Sequence, residues 1–322
     1  MNVKTKMYVQ GFADSYPSEA IQAHEAPGLA VSVVFPLVPA HSLLDIPVQQ
    51  YKATKRNKKA AKAIELAKWL RSEKENGLRL SGFIIADNWV SAADFGLRFI
   101  RELPDVSVEP HYSSFKLRFE NQHIDFSHAI ALQYYYIVLH FGCLRAGTVL
   151  QEQQRNLLVL MDRFPGTDTD GAQPGSSIPP TPGMKLLKYL EERSKTGIGL
   201  REENESLNLQ IQMGNLNWWR DGKTPQWKKG KTHPHFKLPD WLGQAAMAEL
   251  HYDQFVEKFD DLQLGQEIAD ALKDLYAAFK EYEIWTMVPE SIQHLVPAEE
   301  NWVVPNDAQE YIRSRVRSGQ SE

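Results

Sequence analysis

The chain has 322 residues, 43% of them hydrophobic and 24% charged, a balance that excludes wholesale disorder, collagen and coiled coil and suits one large domain or two ordinary ones. Its single cysteine, Cys143, excludes a disulfide framework and a cysteine-based zinc cluster, and a reducing, cytoplasmic setting is expected. The net charge of −5 conceals an asymmetry: residues 52–74 hold nine Lys or Arg against two acids, residues 215–237 six against one, and residues 249–310 fifteen acids against three bases.

In chain order, the opening MNVKTKMYVQGFADS has no long apolar run after its basic residues, so no secretory signal is expected. A strand is predicted from Lys6 to Ala13, with Asp14 just past its end. Leu29–Val38 is nearly continuous in apolar residues, the pattern of a strand buried on both faces, and Pro36 marks an end or an edge. Tyr51–Lys74 reads as a helix. Ala60, Ala63, Ile64, Ala67 and Leu70 form its apolar stripe, lysines occupy the rest, and Gly77 ends it. Leu78–Ala86 is a further strand, closing on Asp87.

Ser91 is expected to cap a helix running to Leu103, and Val106–Phe119 to hold a short strand or two. Ser127 is expected to cap a long apolar helix to Arg145, with Gly147 beyond its end. The stretch Ala129–Leu150 has the length of a membrane span, but Gln133, His140 and Arg145 assign it to a protein core, and no membrane partner is expected. Cys143 on this helix reads as packing rather than as a nucleophile.

Leu157–Met161 is a short strand ending on Asp162. Pro165–Gly183, with five prolines and four glycines, reads as a flexible loop. Leu207–Met213 alternates like a strand, Leu216–Lys237 reads as a loop, Leu238–Tyr252 as a helix, and Glu257–Glu283 as an acidic helical region. The alternation of strands and helices predicts an α/β fold with a mixed sheet flanked by helices. Residues 1–252 would form one domain interrupted by the 165–183 loop, and residues 253–322 an acidic helical C-terminal extension.

Three aspartates share an informative context: Asp14 and Asp162 at strand ends, and Asp240 at the start of an apolar helix. Carboxylates at the ends of neighbouring strands, joined by one from an adjacent helix, suit Mg2+ or Mn2+, which prefer hard oxygen ligands. Two such ions clamp the attacking and leaving oxygens of a phosphodiester. Each aspartate alone reads first as a turn or cap residue, and it is their combination that points to metal. His123, Asp125 and His128 form a weaker alternative metal group.

The basic helix offers Lys55, Arg56, Lys58, Lys59 and Lys62 to a polyanion. The segment from Leu216 interleaves Trp218, Trp219 and Trp227 with Arg220, Lys228 and Lys229, a mixture suited to stacking bases while tracking phosphates. Solvated lysines and loop-anchoring tryptophans are the structural alternative.

In order and spacing these motifs resemble the RNase H-like domain-of-unknown-function 3800 family. Ala13-Asp14-Ser15 matches its opening strand motif, Gln50-Tyr51-Lys52 its Glu-x-Lys step, Leu160-Met161-Asp162-Arg163 its later Asp-terminated strand, and Leu238-Pro239-Asp240-Trp241-Leu242-Gly243 its final helix. The match covers roughly residues 6 to 252. It implies an RNase H-like mixed sheet and a metal-dependent nuclease, with Asp14, Asp162 and Asp240 as metal ligands and Lys52 beside a phosphate or a metal-ligating carboxylate. It also implies a setting in phage defence or a mobile element.

The chain departs from the pattern at two places: Ser15 follows Asp14 directly, and Gln50 stands where the family carries Glu. These departures support a second expectation, a catalytically lapsed RNase H-like subunit that binds nucleic acid or a nucleotide within a larger complex. A third places a protein partner on the acidic C-terminal region.

Overall fold

The computed structural model describes residues 9–16, 27–38, 58–88, 91–92, 106–111, 114–119, 122–149, 156–161, 208–213 and 237–287. Its frame is an α/β arrangement on a mixed sheet of six strands. β1 (Val9–Tyr16), β2 (Gly28–Pro36) and β3 (Leu80–Asn88) form an antiparallel meander. β4 (Val106–His111), β5 (Ser114–Phe119) and β6 (Gln122–Asp125) form a separate antiparallel sheet. β7 (Asn156–Met161) pairs parallel with β1, β8 (Asn208–Met213) parallel with β7, and β9 (Glu283–Met287) parallel with β3. The order across the main sheet is β8-β7-β1-β2-β3-β9.

β1 runs further than its apolar pattern predicts. Asp14, Ser15 and Tyr16 still pair with Ser32, Val31 and Ala30, so Asp14 lies inside the strand rather than beyond it. β3 likewise continues through Asp87, which pairs with Leu29. Ladder hydrogen bonds belong to the backbone, so a strand outlasts its apolar side chains when its partner continues. At the end of β3 the Asn88 side chain accepts the Ser91 N–H at 2.9 Å. Asn88, not Ser91, therefore caps the turn at 91–92.

α1 (Lys59–Glu75) buries Ala63, Leu66, Ala67 and Leu70. Ile64, assigned to this stripe by sequence, is 40% exposed. It stands about 100° round the helix from Ala63, whereas Leu66, Ala67 and Leu70 follow at i+3, i+4 and i+7. The helix ends at Gly77, whose φ of 93° closes a C-terminal motif: Leu78 N–H donates to Glu73 O at 2.8 Å and Gly77 N–H to Lys74 O at 3.1 Å. Residues 51–57 lie outside the described residues.

α2 (Phe126–Val149) continues through Gly147 instead of stopping before it. It covers one face of the sheet. At Gly142 an added Cβ would lie 2.1 Å from Val33 Cγ1, and next to it Phe141 stacks on Phe83 with ring centroids 5.4 Å apart. The close approach needs glycine there.

The other face carries α1, α3 (Lys237–Leu250) and α5 (Leu262–Lys280), with α4 (Tyr252–Glu257) between the last two. Ala30, Val34, Ile84 and Ala86 of the sheet meet Ala67 and Leu70 of α1, Leu242 and Ala246 of α3, and Leu272, Leu275 and Phe279 of α5 in one apolar cluster. Asp261 caps α5 by accepting the Leu264 N–H at 3.1 Å. β9 was not anticipated from sequence. Five residues, EIWTM, carry little strand signal alone, and the open edge of β3 gives them a partner. Residues 252–287 thus pack into the same core as the sheet. Among the described residues no helix is long and apolar enough to cross a membrane.

The basic and acidic segments meet across α1 and α5. Arg71 Nη2 donates to Asp274 Oδ1 at 2.7 Å, Nη1 to Oδ2 at 3.1 Å, and Nε to Glu281 Oε1 at 3.1 Å. Lys74 lies 3.7 Å from Glu281. The hydrogen bond from Arg71 holds the Asp274 carboxyl below its ordinary value, against the opposing effect of burial. Beside this clamp the Tyr282 hydroxyl donates to the Leu70 carbonyl.

Two expectations follow. Gly142→Ala should destabilise the fold by about 1–3 kcal/mol in urea titration, although alanine favours a helix by about 1 kcal/mol, because overpacking dominates. Asp274→Asn should cost about 0.5–1 kcal/mol near pH 7, the scale of part-exposed ion pairs. A depressed folded-state pKa contributes stability above the unfolded carboxyl value, about 3.9, and loses it as pH falls through the folded value. The wild-type and Asp274→Asn curves should therefore converge at the acid end of a pH series of melts.

Candidate functional site

The site is built from β1, β2 and the start of α3. Alternation along β1 sends Phe12, Asp14 and Tyr16 to one face. That face is the one covered by α3: Asp14 lies opposite Ser32 and Tyr16 opposite Ala30 in the β1–β2 ladder, and side chains of directly opposed residues share a face with Cβ atoms about 5 Å apart. The Ser32 hydroxyl, fully buried, donates to the Pro239 carbonyl at 2.8 Å. Gly243, one turn on, approaches Tyr16 so closely that an added Cβ would lie 3.1 Å from the Tyr16 Cβ. These two contacts seat the first turn of α3 on β1 and β2. They place Pro239, the neighbour of Asp240, over the sheet face that carries Asp14.

Asp14 is only 6% exposed, and its Oδ1 accepts the Ser15 N–H at 2.8 Å. Asp240 is engaged on both oxygens. Lys237 Nζ donates to Oδ2 at 2.6 Å and Gln244 Nε2 to Oδ1 at 2.7 Å. The i−3 and i+4 spacing places all three side chains on one stripe of α3. Gln244 is 8% exposed, and its Oε1 accepts no hydrogen bond among the described residues. A buried amide oxygen of this kind is a hard, neutral donor beside a carboxylate. His251 falls near the same stripe. Burial lowers its pKa, and its Nε2 has no hydrogen-bond partner among the described residues.

At the end of β1 the Tyr16 hydroxyl accepts from Lys258 Nζ, which also stands 3.5 Å from the centroid of the Phe255 ring. A cation is thus held two residues beyond Asp14 on the same face.

Asp162 lies outside the described residues. Its chain neighbour Met161 ends β7 in register with Ala13, the neighbour of Asp14. Among the described residues no three His, Cys, Asp or Glu side chains are grouped to hold a metal. Gln50, Lys52, Lys55, Arg56, Trp218, Trp219, Arg220, Trp227, Lys228 and Lys229 also lie outside the described residues. Of the basic-helix candidates, Lys58 is exposed, Lys59 is half-buried, and Lys62 donates to Glu65 at 2.6 Å.

Sequence reasoning missed Lys237, Gln244, Ser32 and Lys258. The Lys237–Asp240–Gln244 spacing was legible, but Lys237 was assigned to the preceding loop. Ser32 and Lys258 carry no local signal, since both act through residues more than 200 positions away. Comparison with protein-family models, curated proteins and solved structures gives no match.

Ser32→Ala removes the donor and leaves the Pro239 carbonyl buried without it. The expected cost is about 1–2 kcal/mol, with faster hydrogen exchange concentrated in the first turn of α3. Unchanged exchange there would mean that the bond does not seat the helix.

Proposed function

We propose that the chain is an RNase H-like, Mg2+- or Mn2+-dependent nuclease hydrolysing phosphodiester bonds of a nucleic acid. One observation carries this reading: Asp14 pairs with Ser32 in the sheet, and the Ser32 hydroxyl bonds the carbonyl of Pro239, the chain neighbour of Asp240. The register of β7 supports a third ligand. Met161, the last residue of β7, pairs with Ala13, the neighbour of Asp14, and Asp162 follows Met161 in sequence. The Gln244 Oε1 adds a neutral oxygen, so the donor set suits a hard dication.

Asp14, Asp162 and Asp240 would hold the metal, which supplies Lewis acidity and lowers the pKa of the attacking water. Gln244, through its bond to Oδ1, orients the Asp240 carboxylate. Lys52 steadies charge on the phosphate in this reading, and Lys58, Lys59 and the Trp–Lys segment hold the strand.

The experiment is cleavage of labelled single-stranded DNA and RNA with Mg2+ or Mn2+, by wild type and by Asp14→Asn and Asp240→Asn. Each variant should lose at least about a hundredfold in rate, the scale of losing one transition-state contact. Metal-free stability of Asp14→Asn should hold or rise, because a buried charge is removed. Retained cleavage in either variant removes that aspartate from the mechanism.

A second reading has one observation in its favour. Asp240 already has a counter-charge in Lys237, as in a catalytically lapsed subunit that binds nucleic acid. That protein would bind without cutting, and Lys58→Ala with Lys59→Ala would flatten the slope of log affinity against log salt by about 1.4 units if both touch phosphate.

A further inference from the structure

On the metal-site reading above, the carboxylate of Asp240 is already paired with a cation before any metal arrives. We propose that Lys237 is an internal counter-ion of Asp240 that a dication must displace, so that this lysine sets the metal concentration at which the site loads.

The geometry is direct. Lys237 Nζ stands 2.6 Å from Asp240 Oδ2, while the other oxygen is held by Gln244 at 2.7 Å. A hard dication binds a carboxylate oxygen at about 2.1 Å. An ammonium and a dication on one carboxylate oxygen lie within about 4 Å of each other, and their repulsion exceeds what a part-exposed ion pair returns. One of them has to leave.

The lysine is the one able to leave. Its side chain is 29% exposed and it occupies the first residue of α3, so the ammonium can swing into water on its flexible stem. Gln244 has no such freedom, being 92% buried on the next turn by its 8% exposure. It carries no charge to oppose the ion. Its amide keeps Oδ1 oriented, and its Oε1, buried and without a hydrogen-bond partner among the described residues, lies in the same amide group. Asp240 is therefore held by two partners of different kind, a fixed neutral one and a displaceable cation. Once displaced, the ammonium stays tethered within a few ångströms of the site, where a substrate phosphate would attract it.

The test is isothermal titration calorimetry of the full chain with Mn2+, without nucleic acid. Wild type should bind, and Lys237→Met should bind about three- to fivefold more tightly, the upper part of the range set by removing a part-exposed competing ion pair. Lys237→Arg, which keeps the competing charge, should remain within about twofold of wild type. In an Asp240→Asn background, Lys237→Met should change nothing. The metal-free melting temperature of Lys237→Met should fall slightly and recover with Mn2+, whereas a purely structural lysine would lower it with no gain in affinity. If Lys237→Met does not fold, Lys237→Gln carries the same measurement. Wild type binding Mn2+ with Lys237→Met no tighter overturns this proposal and leaves the metal site standing. Failure of both proteins to bind Mn2+ at millimolar concentration overturns the metal site, and the counter-ion role goes with it.

Discussion

One of the two contacts that seat α3 on the sheet is a single buried donor. Ser32 sits in the middle of β2, flanked by valines, and its hydroxyl reaches the carbonyl of Pro239 rather than another side chain. A hydroxyl buried without a partner costs about 1–3 kcal/mol, so the apolar face of the sheet accepts Ser32 only where an acceptor faces it. The first turn of α3 supplies one. Once that turn is anchored, the axis of α3 follows from the close approach of Gly243 to Tyr16 and Ala30. The stripe bearing Lys237, Asp240 and Gln244 is carried with it.

The helical layer is held from the opposite side by different physics. α5 presents Ile268, Leu272, Leu275 and Phe279 to the shared core, and its partner α1 supplies Ala63, Leu66, Ala67 and Leu70. Apolar burial is non-directional, so the pairing of these helices takes its register from Arg71, whose fork spans Asp274 and Glu281. Part of the charge asymmetry along the chain is thereby spent internally. The C-terminal end of the basic segment faces the acidic segment, while Lys58 at its start remains exposed to solvent.

Asp14 and Gln244 are buried polar groups, and each is costlier to bury than an apolar side chain of similar size. Lys258, on a π-face and bonded to Tyr16, ties the segment after α4 to the end of β1. The C-terminal helices therefore help to shape the neighbourhood of Asp14 as well as completing the core.

Much of the frame was legible in sequence because it rests on local periodicity. The continuous apolar run of β2, the stripe of α1 with Gly77 beyond it, the long apolar α2 and the short β7 each carry their own signal. Asp14 and Asp240 were legible as candidates from their flanking patterns. What local pattern could not supply was extent and pairing. β1 and β3 run past their apolar residues because their partners do, β9 exists because β3 leaves an edge, and Ile64 faces water because Leu66 better matches the turn of α1. The docking of Pro239, the neighbour of Asp240, on the ladder partner of Asp14, and the contacts of Ser32 and Lys258, were decided by tertiary structure alone. Each depends on a contact between residues more than 200 apart, and the sequence around either partner is unchanged by whether that contact forms.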